Sequence, residues 1–132
     1  MPRQASEIVE GSHRPEVIVD FSSQDGLLFI TLKNIGERSA YGVTTRFNKP
    51  FTGLNGTKTI SKLQLFRRLE FLPPRKEFTQ FVDSVEAFFH RREPWKLTAT
   101  IVYADREGRR FREAITHDLR IFRDLGHIRK LE

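Results

Sequence analysis

The chain has 132 residues and no cysteine, with 38% hydrophobic and 30% charged residues: a globular composition without disulfides, thiolate metal sites or cysteine nucleophiles. Its 23 Lys and Arg against 17 Asp and Glu give a formal charge of +6, which attracts nucleic acid, anionic lipid or acidic protein alike and also serves solubility. The length implies one core that buries roughly two-thirds of the unfolded surface, and twelve Phe supply much of its volume.

Residues 1–15 are polar, contain Gly11 and end at Pro15, which predicts a flexible amino-terminal arm. They lack the apolar core of a signal peptide, and no run approaches the roughly 18 apolar residues of a membrane span. The expected location is cytoplasmic by default, with the soluble part of a membrane-anchored or exported protein left open.

From Glu16 the pattern turns to period two. Val17, Val19 and Phe21 alternate with Ile18 and Asp20, and Gln24-Asp25-Gly26 supplies a turn. Leu28, Ile30 and Leu32 place one face of a second strand on the core, and Tyr41, Val43, Thr45 and Phe47 continue as a third. Between them Asn34 and Gly36 are residues that tolerate left-handed backbone, so the segment is expected to be a corner between strands.

Pro50, Gly53 and Asn55-Gly56 mark a long loop with a brief edge strand at residues 58–60, and Ser61 with Gln64 is expected to cap one helical turn. Asn55-Gly56-Thr57 also fits the glycosylation acceptor pattern but is read as a turn. Residues 68–72 form a short strand stopped by Pro73-Pro74, and residues 77–82 form another. Asp83 and Glu86 have capping-box spacing before the apolar face of Val85, Phe88 and Phe89, and Pro94 closes this helix of about two turns.

Trp95, Leu97, Ala99, Ile101 and Tyr103 make the inner face of a long strand, and residues 104–110 form its hairpin tip. The return strand is expected from Arg110 to about Phe122, with Phe111, Ile115, Leu119 and Ile121 on one side. The domain proper is therefore residues 16–122, followed by a basic carboxy-terminal tail, 123–132. The predicted class is all-β: an antiparallel β-sandwich of about seven strands with one short helix in a connection. Leu28, Ile30, Leu32, Val43, Phe47, Trp95, Leu97, Ile101, Tyr103, Ile115 and Leu119 are expected to dominate its core.

Asn34-Ile35-Gly36 followed by Ala40-Tyr41-Gly42-Val43, and later Tyr103-Ala104-Asp105 leading to Gly108 and a final strand, resemble bacterial immunoglobulin-like domains related to the cell-adhesion-related domain found in bacteria. The resemblance spans residues 16–122. It implies an immunoglobulin-like sandwich that serves as a spacer or interaction module and brings no catalytic residues. The chain departs from that pattern in lacking a secretion signal, in its basicity and in the inserted helix around residues 84–92.

Candidate chemistry is sparse. His13, His90, His117 and His127 have no metal-ligand spacing, His117 and Asp118 are strand neighbours that point to opposite faces, and no nucleophile elbow, phosphate loop or metalloprotease helix is present. Asp25, Asp105 and Glu107 read as turn formers in the tips. The expectation is a protein without enzymatic activity, metal or cofactor.

Binding is expected in one of two places. A sheet edge, with the first strand and residues 58–71 as candidates, can take a protein partner or a second copy by strand addition. Alternatively the basic residues Arg67, Arg68, Arg91, Arg92, Arg109, Arg110 and Arg112 bind nucleic acid or another anionic surface, if the hairpin tip and the helix end share one end of the sandwich. Phe66, Phe81 and Phe89 are then the candidates to stack on bases.

Overall fold

A computed structural model describes residues 13–131, the last six of them as helix backbone only. Of the expected arm, residues 1–15, residues 1–12 lie outside the described residues, and Pro15 is buried. Alternation becomes strand from Val17 to Asp118: β1 Val17–Gln24, β2 Leu27–Asn34 and β3 Ala40–Phe47 come first. Next are the two-residue strands β4 Thr52–Gly53 and β5 Lys58–Thr59, a 3-10 turn Ile60–Lys62, and the short helix α1 Gln64–Arg67. Then follow β6 Leu69–Leu72, β7 Glu77–Ser84, helix α2 Val85–His90, β8 Lys96–Ala104, β9 Arg110–Asp118 and helix α3 Arg120–Leu131.

The all-β antiparallel sandwich is present. One sheet runs β1-β2-β7, the other β6-β3-β8-β9, and β4 pairs with β5 beside them. Seven strands make the two layers, as expected. Asp25 and Gly26 both take positive φ, 53° and 79°, which lets a two-residue turn follow the twist of β1 and β2. On the outer face of the first sheet the β2–β7 register sets Phe29 against Phe81, Thr31 against Thr79 and Lys33 against Glu77.

Between the sheets lie Val17, Val19, Phe21, Leu28, Ile30 and Leu32 from one side and Val43, Leu97, Ala99, Ile101 and Tyr103 from the other, all buried. Of the expected core, Phe47 and Ile115 pack only partly against this cluster, and Trp95 is 40% exposed because β8 begins one residue after it. Phe51, Phe66 and Phe88, carried by loop and helix, close one end instead. The Phe51 ring lies 5.1 Å from Phe47, 6.1 Å from Phe21 and 6.4 Å from Phe88.

Several expectations are corrected by local geometry. The last strand stops at Asp118 rather than near Phe122, because Leu119 N–H donates to Trp95 O at 2.7 Å and the Asp118 carboxylate accepts from Arg120 N–H at 3.0 Å, starting α3. Leu119 is buried, Phe122 packs on the core and Ile121 is 55% exposed, a helical spacing rather than a strand one. The helix crosses the expected boundary between residues 122 and 123.

The cap of α2 is Ser84, whose Oγ accepts from Ala87 N–H at 3.0 Å, while Asp83 remains on β7. Ser61 caps nothing: its hydroxyl accepts from Phe51 N–H at 3.1 Å.

The corner at residues 34–36 works differently from the expectation. Neither Asn34 nor Gly36 has positive φ. Asn34 is fully buried, and its side-chain oxygen accepts from Glu16 N–H at 3.1 Å and Gly36 N–H at 2.9 Å. Its amide nitrogen donates to Arg38 O at 2.8 Å and Leu72 O at 3.0 Å, so one side chain ties β2 to both sheets. Gly36 is needed for close approach: a Cβ there would stand 2.3 Å from Arg14 O and 2.6 Å from Glu16 N.

Candidate interaction surfaces

Strand direction assigns the charged residues to two ends. β8 runs from Lys96, beside α2 and α3, to Ala104, where the β8–β9 hairpin begins. Its nine residues span roughly 25–30 Å at about 3.3 Å per residue. Arg91 and Arg92 therefore sit at the helix end, Arg109 and Arg110 at the hairpin end, with Arg112 two residues further along β9 and Arg67 and Arg68 at the start of β6. The hairpin tip and helix end do not meet, and the single patch they would have formed is absent.

Several of those arginines are already engaged. Arg91 donates to the Asp83 carboxylate at 2.6 Å and to Thr52 O at 3.2 Å, and lies 3.3 Å from Glu93, which itself accepts from Thr52 N–H at 2.9 Å. Burial opposes ionisation of Asp83. The amides of Asn55 and Ser84 and the Arg91 guanidinium outweigh it and hold that carboxyl below its ordinary range. This network anchors the β4–β5 loop to β7 and α2; it is structure, not a binding patch.

Arg68 pairs with Glu70 at 2.7 Å, and Arg109 with Asp105 at 2.7 Å. Asp105 also accepts from Arg109 N–H at 2.8 Å, so it forms the turn assigned to it, and these contacts outweigh its desolvation and lower its pKa.

At the hairpin end a groove of about 740 Å³ is lined by Arg14, Arg38, Arg106 and Arg109 together with Glu37, Asp105 and Glu107. Arg14 lies 5.2 Å over the Phe111 ring, and Phe111 stacks on Tyr103 at 5.5 Å. Tyr103 is buried and donates to Glu113; burial and that carboxylate push its phenol pKa upward. The groove mixes both signs of charge.

At the helix end a cleft of about 530 Å³ is lined by Lys49, Arg92, Lys96 and Arg123 around Trp95, Phe89 and Pro94, with Glu93 the single carboxylate. Arg120 stacks 3.9 Å over Trp95 and pairs with Asp118, whose pKa that contact lowers to about 2, and Arg123 lies 5.0 Å over Phe89. Among the described residues Lys49, Arg92 and Arg123 take part in no ion pair. Arg92 belonged to the sequence-derived set. Lys49, Lys96 and Arg123 did not, since only the strand order brings them together.

Of the expected base-stacking residues Phe66 is 1% exposed and belongs to the core, Phe81 pairs with Phe29, and Phe89 packs on Phe88 at 5.8 Å. His117 is packed: its Nε2 lies 2.8 Å from Val19 O and its ring meets Phe21 edge-on at 5.1 Å. No group of three or more His, Asp or Glu among the described residues is arranged to hold a metal ion, and none of their helices is long and apolar enough to cross a membrane.

The edges are β1 and β7 in one sheet, β6 and β9 in the other. The first strand and β6 fall where the sequence pointed; β7 and β9 do not. β1 is partly covered, through His117 and contacts with β9. β6 has only four residues. β7 has eight, pairs with β2 alone, and shows Glu77, Phe78 and Thr79 to solvent, while further on Val82 O is taken by Leu54 N–H at 2.8 Å.

Residues 2–123 match the family described as domain of unknown function DUF8453. The chain belongs to that family. Comparison with curated proteins and with solved structures finds no match.

Proposed function

We propose that this domain is a non-catalytic interaction module that adds an extended protein segment to the open edge of β7. The β1-β2-β7 and β6-β3-β8-β9 arrangement supports its kinship with immunoglobulin-like interaction domains. The observation that carries the reading is the stretch Glu77 to Thr79: a one-sided edge in which Phe78 is 37% exposed. Unpaired edge amides recruit a strand, and an exposed aromatic beside them gives it something to pack on.

The occupant with defined chemistry is a second copy. Two β7 strands in antiparallel pairing extend the three-stranded sheet to one that spans both protomers. Sedimentation across a concentration series is expected to show a monomer–dimer equilibrium that Phe78→Asp shifts to monomer. A wild-type protein that stays monomeric at every concentration, with those amides of residues 77–81 that face away from β2 unprotected from exchange, overturns the reading.

The arginine reading loses the juxtaposition on which it depended, since its clusters lie at opposite ends of β8. What remains of it is the cationic cleft at the helix end.

A further inference from the structure

We infer that the cationic cleft at the helix end is a binding site for a nucleotide phosphate, free or within a single strand of nucleic acid. This goes beyond the edge reading and shares no residue with it. Four cations from four parts of the chain converge on the cleft: Lys49 from the β3–β4 loop, Arg92 from the turn after α2, Lys96 from the start of β8 and Arg123 from α3. None of them takes part in an ion pair among the described residues. Like charges gathered in one cleft repel one another, and a multiply charged phosphate relieves that repulsion.

The carboxylates nearby do not answer this charge. Among the described residues Glu93 is the single one lining the cleft, and both its oxygens are taken, one by Thr52 N–H at 2.9 Å, the other by the Thr52 hydroxyl and by Arg91 at 3.3 Å. Asp118, across from Lys96 in the β8–β9 register, is gripped by Arg120 through both oxygens, and Asp124 does not line the cleft. The cations are also held in place. Asn48 N–H donates to Thr98 O at 3.0 Å and its side-chain oxygen accepts from Thr98 N–H at 2.9 Å, which fixes the loop that carries Lys49. The Arg123 guanidinium lies 5.0 Å over the Phe89 ring, which leaves its N–H donors for phosphate oxygens. Arg92 holds φ +60°, where glycine is the easier residue, so backbone strain is kept at a position that faces the cleft.

Size and surface select the class of anion. A volume of about 530 Å³ is that of a small-ligand pocket, and Phe89, Pro94 and the 40% exposed Trp95 give it a wall of flat apolar groups. Arg120 lies 3.9 Å over the Trp95 ring and extends that wall, since bases stack on guanidinium planes as well as on rings. A nucleotide has a ring to lay there; inorganic phosphate and a chain of carboxylates do not. A duplex keeps its bases stacked inside and gains nothing from the wall.

The protein carries a single tryptophan, so Trp95 reports from the cleft wall. The test titrates the whole chain with ADP, oligothymidylate, inorganic phosphate and polyglutamate, following Trp95 emission. Expected is saturable quenching by ADP or oligothymidylate, weakened by added salt and roughly tenfold tighter than binding of phosphate or polyglutamate, the worth of one stacked base. Tighter binding of ADP identifies a free nucleotide and tighter binding of oligothymidylate a single strand; either supports the site. Arg123→Ala and Arg92→Gly are each expected to weaken binding roughly tenfold, the contribution of one charge-assisted hydrogen bond. Circular dichroism melts check that each variant folds, and Arg92→Gly eases the backbone, so a loss of affinity there is not a loss of fold. No quenching by either nucleotide probe overturns the inference. So does phosphate or polyglutamate binding as tightly as they do, or affinity that survives both variants. Phe78→Asp, which breaks the β7 pairing, is expected to leave the cleft's affinity unchanged, so the two readings fail separately.

Discussion

Asn34 is the residue on which the corner depends. A buried amide that makes four hydrogen bonds leaves two N–H groups and two carbonyls without those partners when it is removed. Asn34→Ala is therefore expected to cost about 3 kcal/mol or more, measured by urea unfolding. Gly36→Ala is expected to cost at least about 2 kcal/mol, since the backbone of residues 14–16 has to move away from the new methyl. If Gly36→Ala were neutral, the close approach would not be a constraint. The alternation Leu28, Ile30, Leu32 already places Asn34 on the inner face, so its burial was legible in the sequence. Two of its four partners were not, because Leu72 and Glu16 reach it only through the assembled sheets.

Among the elements, α2 and α3 show how far a local pattern can be read. The helix at residues 85–90 announced itself by cap, apolar face and closing proline, yet its cap is Ser84, because Asp83 is drawn into the Asn55 and Arg91 network. The carboxy-terminal helix was hidden: Leu119 and Ile121 fit a strand as well as Leu119 and Phe122 fit a helix, and only the hydrogen bond from Leu119 to Trp95 ends β9 and decides between them.

At the end of α2, Arg92 N–H donates to Phe89 O and Glu93 N–H to Phe88 O, a Schellman closure with arginine at the left-handed position. Arg92→Gly is expected to stabilise the fold by up to about 1 kcal/mol, seen as a raised Tm, because glycine adopts that backbone without strain. A Tm that stays level or falls would mean that arginine holds this backbone without strain.

For the whole molecule, charge is organised by topology. Which arginines neighbour one another depends on β8 separating two ends, and that follows from strand order, not from spacing along the chain. The composition showed the excess of basic residues; it did not show that Arg91 balances Asp83 and Glu93 while Arg92, one residue on, faces the cleft.

Asp83 makes the internal network a source of acid sensitivity. Its carboxyl ionises more readily folded than unfolded, so the stability it contributes is fully present above the unfolded value near pH 4 and is lost as pH falls through the lower folded value. Asp83→Asn removes that charge and is expected to cost about 1–3 kcal/mol near neutral pH. Urea unfolding of both proteins from about pH 7 to about pH 3 tests the sign: the gap is expected to stay constant down to about pH 5 and to narrow below about pH 4, where protonated Asp83 approaches the variant. A gap that holds its size at about pH 3 would mean that shape and hydrogen bonding at position 83, rather than the ion pair with Arg91, tie the β4–β5 loop to the sandwich.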